Sequence, residues 1–509
     1  MKRRTTMIFR TLAVVALMPH GLAGAETSET PRQGRLYFGF AVTSITPDRP
    51  VAVGGQYHTR ISGEVHDPLL ATALAVETRD AAGTIDQAVF VSCDLVAVRG
   101  KFQEAVRRRV GQLAAGLDVR KIVISATHTH TAPALTDAEE TDLHPYDFMG
   151  SWAYRIPPER KDVMRPAEYL DFLAERLSRV VVEAWQTRKP GGMSAALGHV
   201  VVAHNRRAVY ADGTARMYGS TADPNFSHLE AGSDHSIDVL AFWRDAQRLE
   251  GLAIAVYCPS QEMEGQTYLS ADFWYDVRKL LRETYHDKLQ VLPFCGAAGD
   301  QSPHLLWNQQ AELAGQNRRG LSSRQEIARR IVAAVGATLE PDRPPIRTEL
   351  TFQHRAPLVP LPVWPVSPAR YTEACEVFEA GRDKTDQLSS QDYINWRVSR
   401  TLMARHAYQR KQPDYRAELH LLRLGDVAVA TNPFELYTDY GIRIKAASPA
   451  VQTVVVQLTS GCAAYLPTRR AVAGGGYSAR IVDGVVGPEG GDVLVRETVK
   501  ALKEMWPGD

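Results

Sequence analysis

Residues Ile122-Val-Ile-Ser-Ala-Thr-His-Thr-His-Thr-Ala-Pro133 join a short apolar run directly to a cluster of polar and small side chains. A run this short, rich in β-branched residues and stopped so abruptly, reads as a buried strand that ends in a loop. Five further runs have the same form. They are Ala88–Ser92 before Cys93-Asp94, Leu252–Tyr257 before Cys-Pro-Ser-Gln, Val291–Phe294 before Cys-Gly-Ala-Ala-Gly-Asp-Gln-Ser-Pro, Val427–Ala430 before Thr-Asn-Pro-Phe-Glu, and Val454–Val456 before Gln-Leu-Thr-Ser-Gly. Helical patterns lie between them. Leu170, Leu173, Leu177, Val180 and Ala184 share one face of a helix over Tyr169–Trp185, and Ser323 with Glu326 forms a capping box ahead of Ile327, Ile331 and Val335. This alternation predicts an α/β fold: a mixed β-sheet core flanked by helices, with the active site in the loops at the strand ends.

The chain has 509 residues, 44% of them hydrophobic, enough for one large domain or two ordinary ones. Lys and Arg number 59 against 58 Asp and Glu, so there is no global field to hold a nucleic acid. Met1-Lys-Arg-Arg, an apolar stretch from Thr11 to Met18, and Ala23-Gly24-Ala25 follow the order of a signal peptide over residues 1–25, which predicts a secreted or periplasmic protein. Five scattered cysteines do not form a disulfide framework. A Pro-rich segment from Pro357 to Pro368, then a charged helical stretch to about Lys411, reads as an insertion over 355–411 that wraps the core. Neither a repeat nor a low-complexity tract is visible.

The loops hold the chemistry. His128 and His130, two apart on extended backbone, point to one side, which suits a metal or a proton-transfer pair and equally a structural role. Ser302, after the glycine-rich Cys295–Gly299 turn, is a nucleophile, a substrate-orienting hydroxyl or a helix cap. No Gly-x-Ser-x-Gly elbow surrounds a candidate serine, so an ordinary α/β-hydrolase triad has no support. Glu435 places a carboxylate past one strand and Tyr465 a phenol past another; glutamate is a common zinc ligand, tyrosine a rare one. Asp94 serves either to orient a histidine or to support the fold.

As a set, these loops resemble the neutral, non-lysosomal ceramidases, from about Gly39 to the C-terminus. Thr127-His-Thr-His-Thr-Ala-Pro133 is similar to the family's THTHSGP, which implies zinc binding by His128 and a place beside the substrate for His130. Asn205-Arg206 resembles an Asn-Arg pair whose arginine lies in the active site, and Gly299-Asp300-Gln-Ser302-Pro-His304 resembles GDVSPN with its active-site serine. Asn432-Pro-Phe-Glu435 looks like the PGEF segment and Ala464-Tyr465-Leu-Pro-Thr468 like THYITT, implying Glu435 and Tyr465 as zinc ligands. Tyr477 falls where a second active-site tyrosine is expected, and it is grouped with Asp300 for substrate binding. The family's second zinc histidine precedes a proline; here that segment is Tyr257-Cys258-Pro259, implying a Cys258 thiolate as ligand, with Glu262, Glu264 and His304 as nearby substitutes. The β-sandwich that follows the catalytic part in the family has no counterpart, so residues 36–509 correspond to the catalytic domain. The resemblance implies hydrolysis of the N-acyl amide of ceramide or a related lipid amide, with peripheral membrane contact. The alternatives are another metallohydrolase, acting on an ester or phosphoester, and a non-catalytic lipid- or carbohydrate-binding relative.

Overall fold

The six apolar runs become strands, and they do so in pairs. In chain order the principal strands are β1 (Gln33–Ser44), β2 (Leu70–Asp80), β3 (Gly83–Cys93), β4 (Ile122–Ala126), β5 (Gly192–His199), β6 (Ser236–Trp243), β7 (Leu249–Val256), β8 (Gln290–Cys295), β9 (Glu349–Arg355), β10 (Leu421–Leu424), β11 (Val427–Thr431) and β12 (Gln452–Val456). The principal helices are α1 (Gly100–Leu113), α2 (Pro166–Gln186), α3 (Phe273–Thr284), α4 (Ser323–Leu339), α5 (Pro368–Gly381), α6 (Ser390–Tyr408) and α7 (Thr438–Ala447). Strands β3 and β4, β7 and β8, and β11 and β12 are parallel partners. Each pair is joined through one helix, α1, α3 and α7 respectively, so three strand–helix–strand units carry all six runs. The computed structural model describes residues 32–138, 140, 144–148, 152–340 and 344–507, and the leader expected over 1–25 lies outside them.

The fold is α/β, but its core is two sheets rather than one. A nine-stranded sheet runs β12-β11-β10-β9-β1-β2-β3-β4, with a short ninth strand on β1, and a four-stranded sheet runs β8-β7-β6-β5. The pleat sends alternate side chains to opposite faces. Leu74, Val76, Ala88 and Phe90 of the larger sheet meet Leu240, Phe242, Ala253 and Phe294 of the smaller in one buried cluster. On the outer face of the larger sheet, Ala73, Ala75, Val89 and Val91 pack under α1 and α2 through Val106, Leu173 and Leu177. Beyond the smaller sheet, Val239, Ala241 and Ile254 pack under α3 and α4 through Trp274, Val277 and Ile331. The four layers are therefore helix, sheet, sheet, helix.

The helix over Tyr169–Trp185 runs slightly longer, as α2. The capping box of α4 sits one residue earlier than the sequence suggests: Ser322 Oγ accepts from Gln325 N at 3.3 Å, and the Gln325 amide returns to Ser322 N at 3.0 Å. Consecutive serines offer two caps, and only the earlier one has Gln three residues on. In the 355–411 block, α5 and α6 pack against each other. No helix among the described residues is long and apolar enough to cross a membrane.

Candidate functional site

At the ends of β4 and β11 the chain leaves regular structure and two side chains meet. His128 is buried with a left-handed backbone, φ +68°, so the expected extended geometry for the His-Thr-His pair is not found. The imidazoles nevertheless pack edge to face, their centroids 4.9 Å apart. His128 Nδ1 lies 2.6 Å from the Val96 carbonyl oxygen and its Nε2 lies 3.3 Å from Glu435 Oε2. A carbonyl only accepts, so Nδ1 carries a proton and Nε2 is the nitrogen that faces the carboxylate. The contact needs a proton or a cation between Nε2 and Glu435.

Glu435 and Tyr465 are register partners in a two-residue parallel ladder, which fixes carboxylate and phenol side by side. Burial pushes the Glu435 carboxyl up, but His128, the Tyr465 hydroxyl and Arg206 outweigh it and hold the group below its ordinary range. Burial holds the Tyr465 and Tyr477 phenols well above theirs. Arg206 is fully enclosed: its Nη2 donates to the Gly299 carbonyl at 2.9 Å and to Tyr465 Oη at 3.3 Å, and its Nη1 donates to Gln261 Oε1 at 3.1 Å. His130 abuts Gln261 on one side and Gly55 on the other. Gly55 sits at φ +95°, where a Cβ would lie 2.5 Å from His130 Cγ, so only glycine permits this approach.

These groups surround a small pocket of about 50 Å³ lined by His128, His130, Glu435, Tyr465 and Tyr477, with Val96, Pro133, Leu135, Phe148, Trp152 and Tyr154 on its apolar side. Trp152 and Tyr477 also line a larger cleft of about 970 Å³ that α5 and α6 line through Val377, Trp396 and Leu402, with Leu388 from the segment between them. Tyr477 is held from below, its carbonyl accepting from Arg207 Nη1 at 2.8 Å while Arg207 pairs with Glu230 at 2.8 Å.

Other expected residues stand elsewhere. Cys258 is fully buried in the apolar cluster under α3, its thiol turned to the Val202 carbonyl 3.1 Å away, and it does not line the pocket. Burial raises its pKa well above the usual thiol value, which keeps it protonated. Ser302 Oγ accepts from Tyr218 Oη at 3.1 Å and from His304 N at 3.0 Å, with no basic side chain bonded to it. Asp300, expected to bind substrate, has both oxygens taken: Asn205 Nδ2 at 2.9 Å, Thr438 N at 2.9 Å and Thr438 Oγ1 at 2.8 Å. It ties the glycine-rich turn to the start of α7. Asp94 meets no histidine; Arg278 donates to both its oxygens at 2.7 and 3.0 Å, joining β3 to α3. His304 lies nearest Glu262, at 3.5 Å.

Among the described residues no three His, Cys, Asp or Glu side chains gather around one point, and the third group beside His128 and Glu435 is the Tyr465 phenol. The 3.3 Å between His128 Nε2 and Glu435 Oε2 matches the edge of a tetrahedron whose ligands stand ~2.0–2.1 Å from its centre. Val96 fixes the tautomer that a metal-binding imidazole requires. His128, Glu435 and Tyr465 are therefore the side chains whose chemistry is compatible with a zinc ion, and Cys258 lies apart from them.

The architecture is that of an α/β sandwich carrying a polar pocket at one rim. No known protein-family profile matches the chain, and no curated protein matches it in sequence. Among solved structures, the neutral ceramidase from Pseudomonas aeruginosa superposes with a TM-score of 0.65 at 16% identity, over 94% of this chain and 76% of that one. A ceramidase complexed with C2 superposes with a TM-score of 0.64 at 15% identity, over the same shares. The chain shares its fold with these proteins.

Proposed function

We propose that this protein is an exported zinc-dependent amidohydrolase that cleaves the N-acyl amide of ceramide or a related lipid amide. The observation that carries the reading is the meeting of His128 Nε2 and Glu435 Oε2, 3.3 Å apart beside Tyr465, in a pocket also lined by Phe148, Trp152 and Tyr154. His128 Nε2, Glu435 and Tyr465 would hold the metal, which when bound supplies Lewis acidity toward an amide carbonyl and makes a water acidic enough to attack near neutral pH. Arg206 and His130 present N–H groups beside that position, suited to a carbonyl oxygen as it gains charge. Phe148, Trp152 and Tyr154 exclude bulk water and accept hydrocarbon. The adjoining cleft under α5 and α6 gives the 355–411 insertion a role as the wall against which a long chain lies, within one catalytic domain over 36–509. Fold similarity to ceramidases supports the same substrate class.

The test is zinc analysis of the purified protein together with turnover of an N-acylsphingosine, a matched ester and a phosphodiester. About one zinc per chain and preference for the amide is the expected result. Zinc-free protein, or hydrolysis confined to the ester or phosphodiester, overturns the reading.

A further inference from the structure

Gln261 is fully buried, and it was not among the residues the loops singled out because a carboxamide is neither nucleophile nor zinc ligand. Its side chain bridges two groups of the pocket: Oε1 lies 3.1 Å from Arg206 Nη1, and Nε2 lies 2.8 Å from His130 Nε2. A guanidinium only donates, so the amide oxygen must face Arg206. The amide nitrogen, which only donates, is then left facing the imidazole. His130 Nε2 must accept, and the proton of the neutral ring must reside on Nδ1. That Nδ1 is buried against Gly55 without a hydrogen bond, and the nearest carboxylate oxygen is Glu264 Oε2 at 3.7 Å.

We propose that Gln261 is a positioning residue for the hydrolytic reaction: by linking Arg206 to His130 it locks His130 in the Nδ1–H tautomer and holds the ring and the guanidinium in place beside the candidate ligands. The proposal rests on the amidohydrolase reading for its chemistry, while the tautomer it specifies follows from hydrogen-bond polarity alone. Both links run one way, from Arg206 to the amide and from the amide to the imidazole, and each donor and acceptor between them is satisfied only in that order. Reversing the polarity of the middle link should therefore turn the ring's donor to the wrong side. Gln261→Glu does this, because a carboxylate accepts from both neighbours and draws the proton to Nε2.

The experiment is nitrogen-15 NMR of histidine-labelled, zinc-loaded protein, with the His130 signals assigned from a His130→Gln variant, alongside kinetics on an N-acylsphingosine. Wild type should show the Nδ1–H tautomer at His130. Gln261→Glu should lose that signature and fall about tenfold or more in kcat/KM through misplacement of the ring, while retaining zinc and native circular dichroism. Gln261→Leu should show an intermediate loss. An Nε2–H signature in wild type overturns the proposal without any variant having to fold, as does unchanged turnover in folded Gln261→Glu. If wild type shows the Nδ1–H tautomer but cleaves no amide, the hydrogen-bond order stands and the amidohydrolase reading is the part that fails.

Discussion

Glu435 and Tyr465 stand as direct partners in a ladder only two residues long, yet that ladder places a carboxylate and a phenol side by side against His128. The pairing is held by backbone, with Glu435 N donating to the Ala464 carbonyl at 2.9 Å. Side-chain exchanges here should therefore change chemistry more than fold.

His128→Ala and Glu435→Gln are expected to lose bound zinc and at least 10²-fold in turnover, with thermal unfolding of the metal-free proteins little changed. Metal analysis and kinetics on the same preparations check this. Retention of both zinc and turnover in Glu435→Gln would remove the carboxylate from the metal shell.

Cys258→Ala should leave zinc content and turnover as they are and cost about 1 kcal/mol of stability, because the thiol fills core volume under α3. Cys258→His, which restores the residue type of the family resemblance, should destabilise by ~1–3 kcal/mol through overpacking. Denaturant unfolding with zinc stoichiometry separates the two effects.

Ser302→Ala should keep kcat within a few-fold of wild type and abolish no burst phase, since the hydroxyl accepts from Tyr218 and the His304 amide and adjoins no base. Pre-steady-state product release is the measurement. A burst in wild type that vanishes in the variant would make Ser302 a nucleophile.

Gly55→Ala should lower kcat/KM by about tenfold or more while the protein still folds, because the new Cβ meets the His130 ring at 2.5 Å and the backbone is left-handed. The drop should appear for both short and long acyl amides. Loss confined to long chains would place the clash in the apolar side of the pocket instead.

Acid stability should turn on Glu418. Burial pushes its carboxyl up, but hydrogen bonds from His420 and Arg107 prevail and bring it down to about 2. With the folded value below the unfolded one, its contribution is full above the ordinary carboxylate pKa and is lost as pH falls toward 2. Denaturant unfolding between pH 3 and 6 should show a shallower acid slope in Glu418→Gln than in wild type; parallel slopes would dismiss the assignment.

Much of this was legible in the residues. Runs such as Ile122–Ser125 and Val427–Ala430 announce strands because β-branched side chains buried on both faces leave no polar alternation. What one run cannot disclose is which sheet it joins: the mixed β-sheet core expected from the runs is divided between two sheets packed face to face. The strand-end positions of His128 and Glu435 were readable from the runs before them, whereas their selection as candidate ligands came from the family resemblance. Cys258 was misleading for a physical reason: side-chain direction flips between neighbouring extended residues, and its own step turns it into the core. Gln261, three positions on, carries the contact to His130, a role defined only by the polarity of partners distant in sequence. Trp152 and the α5–α6 wall come from irregular or inserted segments that hold no periodic signal.

The three strand–helix–strand units deliver their loops to one rim, and no single unit supplies more than part of the pocket. The His128–Glu435 contact therefore has no precursor in any single unit: the ends of β4 and β11, at different places in the nine-stranded sheet, must both be set before His128 can face Glu435. On the proposed reading, capture of a metal there would report that the sheet has closed.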